Sequence, residues 1–207
     1  ELFDRVRQRY GKPRATYPHM SELIRCLTLS WFERNEPTPL TEKQLAYFSI
    51  GFALEDVFLR DPGELEMTSE QIDGIWLTPD YVDLSGIGVD LKSTRMYFDK
   101  NGVPSKGWPE SWLKQFMGYA KYLGITEYGV AVMQLIKADF VVGTFTFTPE
   151  EIEANWQWLV NRKVVLDFHM AAGEPPAPFV YNQDWECNNC ARRLKCGVIA
   201  QQLAEDD

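Results

Sequence analysis

The sequence predicts an α/β fold, because strand patterns and helical patterns alternate along a chain that can bury a sizeable core. The chain has 207 residues, of which 45% are hydrophobic, and this size suits a single domain over residues 1–207. Runs rich in β-branched and aromatic residues predict strands, and runs with apolar residues three and four apart predict helices. The strand patterns cover 71–78, 86–93, 128–136 and 140–148, and the helical patterns cover 20–33, 41–59, 112–123 and 148–172.

Capping residues mark the starts of three of these helices. Ser21 is placed to cap the first helix. Thr41 and Gln44 have capping-box spacing at the start of the second, and Thr148 and Glu151 have it at the start of the last. The helix boundaries are therefore predicted from local hydrogen bonding as well as from apolar spacing.

Two residues of the second helix attract attention. Gly51 lies in its middle, where glycine costs about 1 kcal/mol relative to alanine, so we expect Gly51 to pack closely against the sheet. Glu55 follows one turn later, well inside the helix. The Glu55 carboxylate is either an ordinary surface charge or part of a functional site.

The first two strands are predicted to form a β-hairpin. Residues 78–85 carry turn chemistry, and a turn centred between Tyr81 and Val82 would place Asp73 directly opposite Asp90. Their Cβ atoms would then lie about 5 Å apart. One metal ion could contact both carboxylates.

Side-chain alternation along the second strand places Asp90 and Lys92 on one face. The Pro79-Asp80 pair would lie in the turn, so we interpret Asp80 as a turn residue. A hairpin with a solvated polar face is the alternative, because the Asp-x-Lys pattern is common by chance.

Two carboxylates and a lysine suit Mg²⁺-dependent phosphodiester hydrolysis. Mg²⁺ prefers a few carboxylates together with waters and phosphate oxygens, and it activates water and neutralises developing charge. Lys92 would orient the attacking water or stabilise the phosphate, and it would act as a base only if neighbouring groups lowered its pKa.

The segment around the third helix adds two candidates. Gln115 and Tyr119 are four residues apart and share one face of that helix. The preceding residues 96–111 contain Gly102, Pro104 and further glycine and proline, which predicts a mobile loop. We expect this loop to border the groove formed by the helix and the Lys92 strand.

In chain order, these residues resemble the RecB-like branch of the PD-(D/E)XK nuclease superfamily. The resemblance implies a restriction-endonuclease-like core of order αβββαβ, with a central mixed sheet flanked by helices. It implies that Glu55, Asp73 and Asp90 hold Mg²⁺ or Mn²⁺ with help from the Leu91 carbonyl, and that Lys92 completes the catalytic set. It also implies that Gln115 and Tyr119 face the DNA. The motifs that carry it are Gly51-x-x-x-Glu55, Ile72-Asp73-Gly74, Asp90-Leu91-Lys92 and Gln115-x-x-x-Tyr119.

The four cysteines provide a separate pattern. Cys187, Cys190 and Cys196 form a C-x2-C-x5-C run, and Cys26 lies far upstream. Four thiolates suit a [4Fe–4S] cluster. Tetrahedral zinc, two disulfides and free structural thiols are the alternatives.

One remote cysteine followed by this C-terminal run is similar to the iron–sulfur nucleases, namely the CRISPR-associated RecB-like exonucleases, their viral relatives and the AddB nuclease domain. The resemblance implies an iron–sulfur clasp that joins the N-terminal helix at 20–33 to the C-terminal tail at 185–197. Loss of the cluster should then destabilise the fold.

The charge of the chain limits how it could bind DNA. The net charge of −9 argues against a broad nonspecific nucleic-acid footprint. Local basic residues, such as Lys92 near the groove and Arg192, Arg193 and Lys195 in the cysteine run, could offset this charge or could be ordinary solvated charges. No apolar stretch of membrane-spanning length and no secretory segment is evident, so we expect a cytoplasmic protein without membrane contact.

We therefore expect a Mg²⁺- or Mn²⁺-dependent deoxyribonuclease with an iron–sulfur cluster. The resemblance implies an exonuclease that acts on single-stranded DNA or DNA ends, with a CRISPR integrase or recombination and replication proteins as partners. The alternative is a noncatalytic DNA-binding or assembly subunit of a recombination or CRISPR adaptation complex. The set Glu55, Asp73, Asp90 and Lys92 favours the enzyme.

Overall fold

A computed structural model describes residues 3, 4, 6, 16–58, 70–83, 85–177, 184–188 and 190–197. The helices are α1 (Met20–Ile24), α2 (Leu27–Asn35), α3 (Glu42–Phe58), α4 (Glu110–Leu123), α5 (Pro149–Ala172) and α6 (Asp184–Asn188). The strands are β1 (Glu70–Ile72), β2 (Ile75–Leu77), β3 (Tyr81–Val82), β4 (Gly88–Thr94), β5 (Glu127–Gln134) and β6 (Asp139–Thr146).

A mixed four-stranded sheet with the order β3-β4-β5-β6 is the centre of the fold. Strand β4 pairs with β3 in antiparallel and with β5 in parallel orientation. Helix α4 connects β4 to β5, as a parallel pair requires a long crossover. Strand β6 returns antiparallel to β5. The predicted α/β class is confirmed, with helices flanking a mixed sheet.

The predicted pairing of residues 71–78 with 86–93 is wrong. Strands β1 and β2 instead form a hairpin of their own, in which Ile72 pairs with Ile75. Asp73 and Gly74 are its two central residues and have φ angles of 50° and 74°. Positive φ at both positions defines the tight turn that Asp-Gly favours. The chain therefore reverses at Asp73, before it reaches the predicted turn.

A second hairpin joins β3 to β4. Val82 pairs with Gly88 and Tyr81 with Val89. The turn between them is held by Asp83, whose Oδ1 accepts hydrogen bonds from the Ser85 and Ile87 amides, each at 2.9 Å. Among the described residues, four strand segments thus precede the connecting helix, where the resemblance implied three.

The helix predicted at 20–33 is divided in two. Helix α1 ends at Ile24, because the Arg162 guanidinium of α5 binds the carbonyls of Leu23 and Arg25. Cys26 is the N-cap of α2 and does not lie inside a helix. His19, not Ser21, caps α1, and its capping box is completed by the Glu22 side chain.

The remaining elements agree with their predicted ranges to within a few residues. The Thr41–Gln44 pair forms reciprocal hydrogen bonds at the start of α3. Thr148 and Glu151 do the same at the start of α5. Helix α5 ends at Gly173, which has a left-handed conformation with φ of 74°.

The core lies between the sheet and the packed helices α4 and α5. The Phe116 ring of α4 stacks on the Tyr128 ring of β5, with centroids 5.4 Å apart. Tyr119 and Tyr128 are also stacked, at 5.8 Å. The short helix α1 packs on both α4 and α5. Within the described ranges, no helix is both long and apolar enough to cross a membrane.

Two helical glycines have opposite surroundings. A Cβ atom at Gly118 of α4 would lie 2.2 Å from the Sδ atom of Met20, and Met20 is fully buried. At Gly51 of α3, no described atom lies within 4 Å of the same position. The expectation that Gly51 packs closely against the sheet is therefore wrong, and Gly118 is the glycine that allows close packing.

We predict that Gly118→Ala lowers the free energy of unfolding by about 1 kcal/mol, because overpacking costs 1–3 kcal/mol and the helical preference of alanine returns only part of this. Gly51→Ala is the matched control and should raise it by about 0.5–1 kcal/mol. Urea unfolding of both variants measures the difference. Equal effects of the two substitutions would contradict the described contact between Met20 and Gly118.

Candidate active site

Asp90 is a buried carboxylate in the central strand β4. Its exposed fraction is 0%, and its Oδ1 accepts no hydrogen bond from the described residues. Burial raises the pKa of Asp90, and the nearby Lys92 charge offsets only part of this effect. Such a group is costly to the fold unless something else binds it.

Lys92 is the charged neighbour of Asp90 on the same strand face. Its Nζ lies 2.6 Å from Asp90 Oδ2, and this contact opposes the effect of burial on the pKa of Asp90. The same Nζ donates a hydrogen bond to Gln115 Oε1 at 2.9 Å and lies 5.8 Å from the Trp112 ring centroid. The predicted convergence of Asp90 and Lys92 is thus present.

Asp80, which was interpreted as a turn residue, lies beside Asp90. Asp80 immediately precedes β3, whose first residue Tyr81 pairs with Val89. Asp80 Oδ2 accepts a hydrogen bond from the Leu91 amide at 2.8 Å, so this carboxylate contacts the residue that follows Asp90. Asp73 makes no such contact with β4 among the described residues.

Asp73 occupies a different part of the molecule. It is exposed in the β1–β2 turn, and its Oδ2 accepts a hydrogen bond from the Trp156 indole of α5 at 2.8 Å. A Cβ atom at the adjacent Gly74 would lie 2.6 Å from the Lys163 side chain. Asp73 thus fixes the first hairpin to α5, and the register that would have brought it to Asp90 does not form.

Gln115 and Tyr119 connect Lys92 to the segment before Asp80. Gln115 Nε2 donates to the Tyr119 hydroxyl at 3.1 Å, and that hydroxyl donates to the Thr78 carbonyl at 2.9 Å. Burial raises the pKa of Tyr119, and the charges of Asp90 and Asp80 add to the effect. The hydroxyl is therefore a stable donor. Tyr119 is only 2% exposed, so its hydroxyl is directed into the protein in this structure.

Glu55 is a residue of helix α3, and the description of the structure does not extend to its side chain. Helix α3 packs against β4, and Arg95, just after β4, lies 5.9 Å from the Tyr47 ring of α3. The helix that carries Glu55 therefore neighbours the strand that carries Asp90.

The cysteines lie where the C-terminal segment meets the start of α2. The Cys26 amide donates a hydrogen bond to Glu186 Oε1 at 2.8 Å, next to Cys187. The Arg192 amide donates to the sulfur of Cys190 at 3.3 Å. Burial raises the pKa of the Cys196 thiol to about 11, and the other three thiols add to this effect.

Further contacts fasten the C-terminal segment to α2. Arg192 and Lys195 both contact the Glu36 carboxylate, and both cations lie over the Phe32 ring, at 5.5 Å and 5.3 Å. Lys195 lowers the pKa of Glu36. Arg192 and Lys195 therefore make contacts within the protein, so their charges are not arranged as a surface for DNA.

Neither the Asp90 region nor the group of four cysteines is a preformed metal site by geometry alone. Over the part of the chain that the structure describes, no three His, Cys, Asp or Glu side chains are arranged to hold a metal ion. The thiols nonetheless interact electrostatically, and the Asp80–Asp90 pair supplies two carboxylates. The cysteines thus have the chemistry of metal ligands without the geometry of a formed site, and the active-site region has carboxylates on Asp80 and Asp90.

Comparison with known proteins supports the fold only. No protein-family model matches the chain, and no curated protein matches it. A solved structure titled "Crystal structure of SSO0001" is similar to this chain, with a TM-score of 0.59, 14% sequence identity, and coverage of 95% of this chain and 94% of the other. At that identity the likeness concerns the mixed α/β architecture.

Sequence reasoning missed Asp80 and the role of the Thr78 carbonyl. The signal for Asp80 was available, because Asp73-Gly74 is itself a strong hairpin signal and leaves Pro79-Asp80 free to start the next strand. No sequence signal pointed to Thr78, because its contact with Tyr119 spans 41 positions.

We predict that Asp90→Asn raises the free energy of unfolding in EDTA by about 1 kcal/mol, because a neutral amide costs less to bury and the burial of Asp90 outweighs its contact with Lys92. Asp167→Asn is the control. It removes an exposed charge paired with Lys163 and should change stability by less than about 0.5 kcal/mol.

The same urea titrations repeated with Mg²⁺ add a second readout. Mg²⁺ should stabilise the wild-type protein more than Asp90→Asn, because binding to the folded state raises stability. A lower stability of Asp90→Asn in EDTA would show that the Lys92 ion pair outweighs the burial cost.

Proposed function

We propose that this chain is a divalent-metal-dependent deoxyribonuclease with a PD-(D/E)XK core. The observation that carries the proposal is the Lys92 ammonium against the buried Asp90 carboxylate, with Asp80 on the amide of the intervening Leu91. In chain order, Pro79-Asp80 followed by Asp90-Leu91-Lys92 is the literal form of that motif. The likeness of fold to a solved structure is compatible with this core and does not test it.

The residues present fit Mg²⁺ or Mn²⁺. Asp90 Oδ2 contacts the Lys92 ammonium, and Oδ1 has no hydrogen-bond partner among the described residues, so one oxygen of the buried carboxylate is left for a cation. Asp80 and Asp90 would hold the ion, and Glu55 would join them from α3. Mg²⁺ needs only one or two carboxylates when waters and phosphate oxygens complete its shell. When bound, it would supply Lewis-acid stabilisation and a more acidic water.

Lys92 would neutralise negative charge on the phosphate. Two acceptors, Asp90 Oδ2 at 2.6 Å and Gln115 Oε1 at 2.9 Å, hold its Nζ at the edge of the site. Its side chain is 20% exposed while that of Asp90 is 1% exposed. Lys92 is thus the part of the pair that a substrate can reach, and Gln115 sets its direction.

Tyr119 would act as a positioning residue. Its hydroxyl accepts from Gln115 and donates to the carbonyl of Thr78, two residues before Asp80. The chain of hydrogen bonds therefore links the Lys92 ammonium to the segment that carries Asp80. Rigid support of this kind keeps reacting groups in register.

A second part of the proposal is an iron–sulfur clasp formed by Cys26, Cys187, Cys190 and Cys196. Two observations support this clasp. The Cys26 amide donates a hydrogen bond to Glu186, which is next to Cys187, and the other three thiols contribute to the raised pKa of Cys196. An amide that donates to a cysteine sulfur, as Arg192 does to Cys190, suits a thiolate ligand. The cluster would hold the C-terminal segment against α2.

The substrate would be single-stranded DNA or DNA ends, and the protein would cleave it as an exonuclease. A protein with a net charge of −9 should bind such a substrate locally and with a marked dependence on salt. Partners such as a CRISPR integrase or recombination and replication proteins belong to the same proposal.

We predict that purified protein cleaves end-labelled DNA with Mg²⁺ or Mn²⁺ but not with EDTA. Asp90→Ala and Asp80→Asn should each lower the rate about a hundredfold or more, because removal of a metal ligand forfeits several kcal/mol of transition-state stabilisation. Asp73→Asn is the matched control and should keep near wild-type activity. Gel analysis of single-stranded and double-stranded substrates measures all four proteins.

Two outcomes would change the assignment. If Asp73→Asn abolishes cleavage and Asp80→Asn does not, the assignment of the second ligand to Asp80 is wrong. If the wild-type protein binds DNA without cleaving it, a noncatalytic DNA-binding or assembly subunit becomes the better description.

We predict that protein purified without oxygen is brown and has broad visible absorbance from a [4Fe–4S] cluster. Cys26→Ser should remove the colour and lower the thermal midpoint, because metal binding contributes to folding free energy. Colourless protein with one tightly bound zinc per chain would overturn the cluster in favour of tetrahedral zinc.

A further inference from the structure

Two exposed tyrosine rings lie on the elements that carry the candidate active-site residues. Tyr47 belongs to α3 and is 45% exposed, and Tyr97 lies in the segment after β4 and is 54% exposed. A tyrosine ring combines a large apolar face with a polar tip, which suits it to recognition when it is exposed. The nuclease proposal assigns no role to either ring.

Each of these rings lies beside a cation. The Arg95 guanidinium is 5.9 Å from the Tyr47 ring centroid, and the Lys137 Nζ is 5.9 Å from the Tyr97 ring centroid. Both distances are within the range of cation–π contacts. Arg95 and Lys137 are themselves exposed, so the two pairs form part of the solvent-facing surface at the carboxyl end of β4.

Hydrogen bonds fix the backbone that presents Arg95 and Tyr97. The Leu135 amide donates to the Thr94 carbonyl at 2.8 Å, and the Ser105 amide donates to the Tyr97 carbonyl at 2.9 Å. Arg95 and Tyr97 are two residues apart, so their Cα atoms are separated by no more than about 7 Å. The fold therefore holds both side chains in one small region, next to Tyr47 of α3.

The charges in this region indicate which part of a ligand each group suits. Arg95 forms no ion pair with the described residues, so its guanidinium is available to an anion. Around Tyr97, the charge of Lys137 is accompanied by Asp99 and Asp139 in the same two turns. The Tyr97 ring therefore suits an uncharged aromatic group and not a phosphate.

Exposed rings together with an available arginine are the means by which proteins bind single-stranded nucleic acid, because rings stack on bases and cations contact phosphates. We propose that Tyr47, Arg95 and Tyr97 form a stacking surface for the unpaired bases of single-stranded DNA. This inference rests on the proposed nuclease function and names the residues that would select an unpaired strand. A duplex would bind less well, because its bases already stack on one another.

The position of the stacking surface suits a strand that continues to the candidate active site. Arg95 lies three residues after Lys92, so their Cα atoms are within about 10 Å of each other. Tyr47 lies eight residues before Glu55 on α3, which is about 12 Å along the helix axis. Each distance corresponds to three or four stacked nucleotides, at about 3.4 Å per nucleotide.

The binding test measures the fluorescence anisotropy of a labelled oligothymidylate of about ten nucleotides, in EDTA so that the strand stays intact. Tyr47→Ala and Tyr97→Ala should each weaken binding about tenfold, because each removes a ring that stacks on a base. Tyr17→Ala is the matched control. Tyr17 is also 45% exposed and has the Lys163 Nζ 5.8 Å from its ring centroid, but it lies beside Gly74 of the first hairpin. This variant should bind as the wild type does.

Three comparisons separate stacking from other roles of these side chains. Tyr47→Phe and Tyr97→Phe keep the rings and should bind nearly as well as the wild type. An abasic oligonucleotide of the same length keeps the phosphates and should bind at least about tenfold more weakly. Arg95→Met should reduce the slope of log affinity against log salt by about 0.7, the value for one phosphate contact on a single strand. Equal affinity for the abasic and the ordinary strand would refute stacking.

Cleavage assays with Mg²⁺ distinguish this inference from the nuclease proposal. Tyr47→Ala and Tyr97→Ala should raise KM for single-stranded DNA about tenfold while kcat stays similar. Absence of binding by the wild type, or equal binding by both alanine variants and Tyr17→Ala, would overturn the stacking surface even if DNA is cleaved. Binding that depends on Tyr47 and Tyr97 without any cleavage would uphold the surface and refute the nuclease proposal.

Discussion

The burial of Asp90 is the constraint on which the candidate site depends. A carboxylate that is 0% exposed in an inner strand, with its Oδ1 lacking a hydrogen bond from the described residues, works against folding. The ion pair with Lys92, two residues along the strand, offsets part of this cost. Local departures from good packing of this kind are expected at functional sites. A divalent cation is the simplest group that would compensate the cost.

The surrounding elements are arranged to keep that carboxylate in register with its neighbours. The β3–β4 turn, fixed by Asp83, decides which residue lies opposite Asp90. Helix α4 supplies Gln115 to Lys92 and Tyr119 to the Thr78 carbonyl, so one helix controls both sides of the pair. A one-residue slip in β3 would turn Asp80 to the other face of the sheet.

Local signals in the sequence predicted much of the fold, and long-range contacts account for most of what it missed. Capping boxes at Thr41 and Thr148 form as expected because they involve residues three apart. The break between α1 and α2 is imposed by Arg162 from α5, 137 positions beyond Arg25, which no local pattern contains. The hairpin error had another cause: turn residues at 78–85 were weighted above the Asp73-Gly74 pair, whose positive φ angles fix a tighter turn. Asp90, Lys92 and Gln115 lie together as expected, whereas Asp73 lies in the β1–β2 turn because the predicted register does not form.

Anomalous scattering from a crystal soaked in Mn²⁺ tests the central claim most directly, because it locates the ion without relying on catalysis. The account predicts one strong peak with oxygens of both Asp80 and Asp90 within about 2.0–2.2 Å. A peak at Asp73, or none near Asp90 when the ion is in excess, would contradict it.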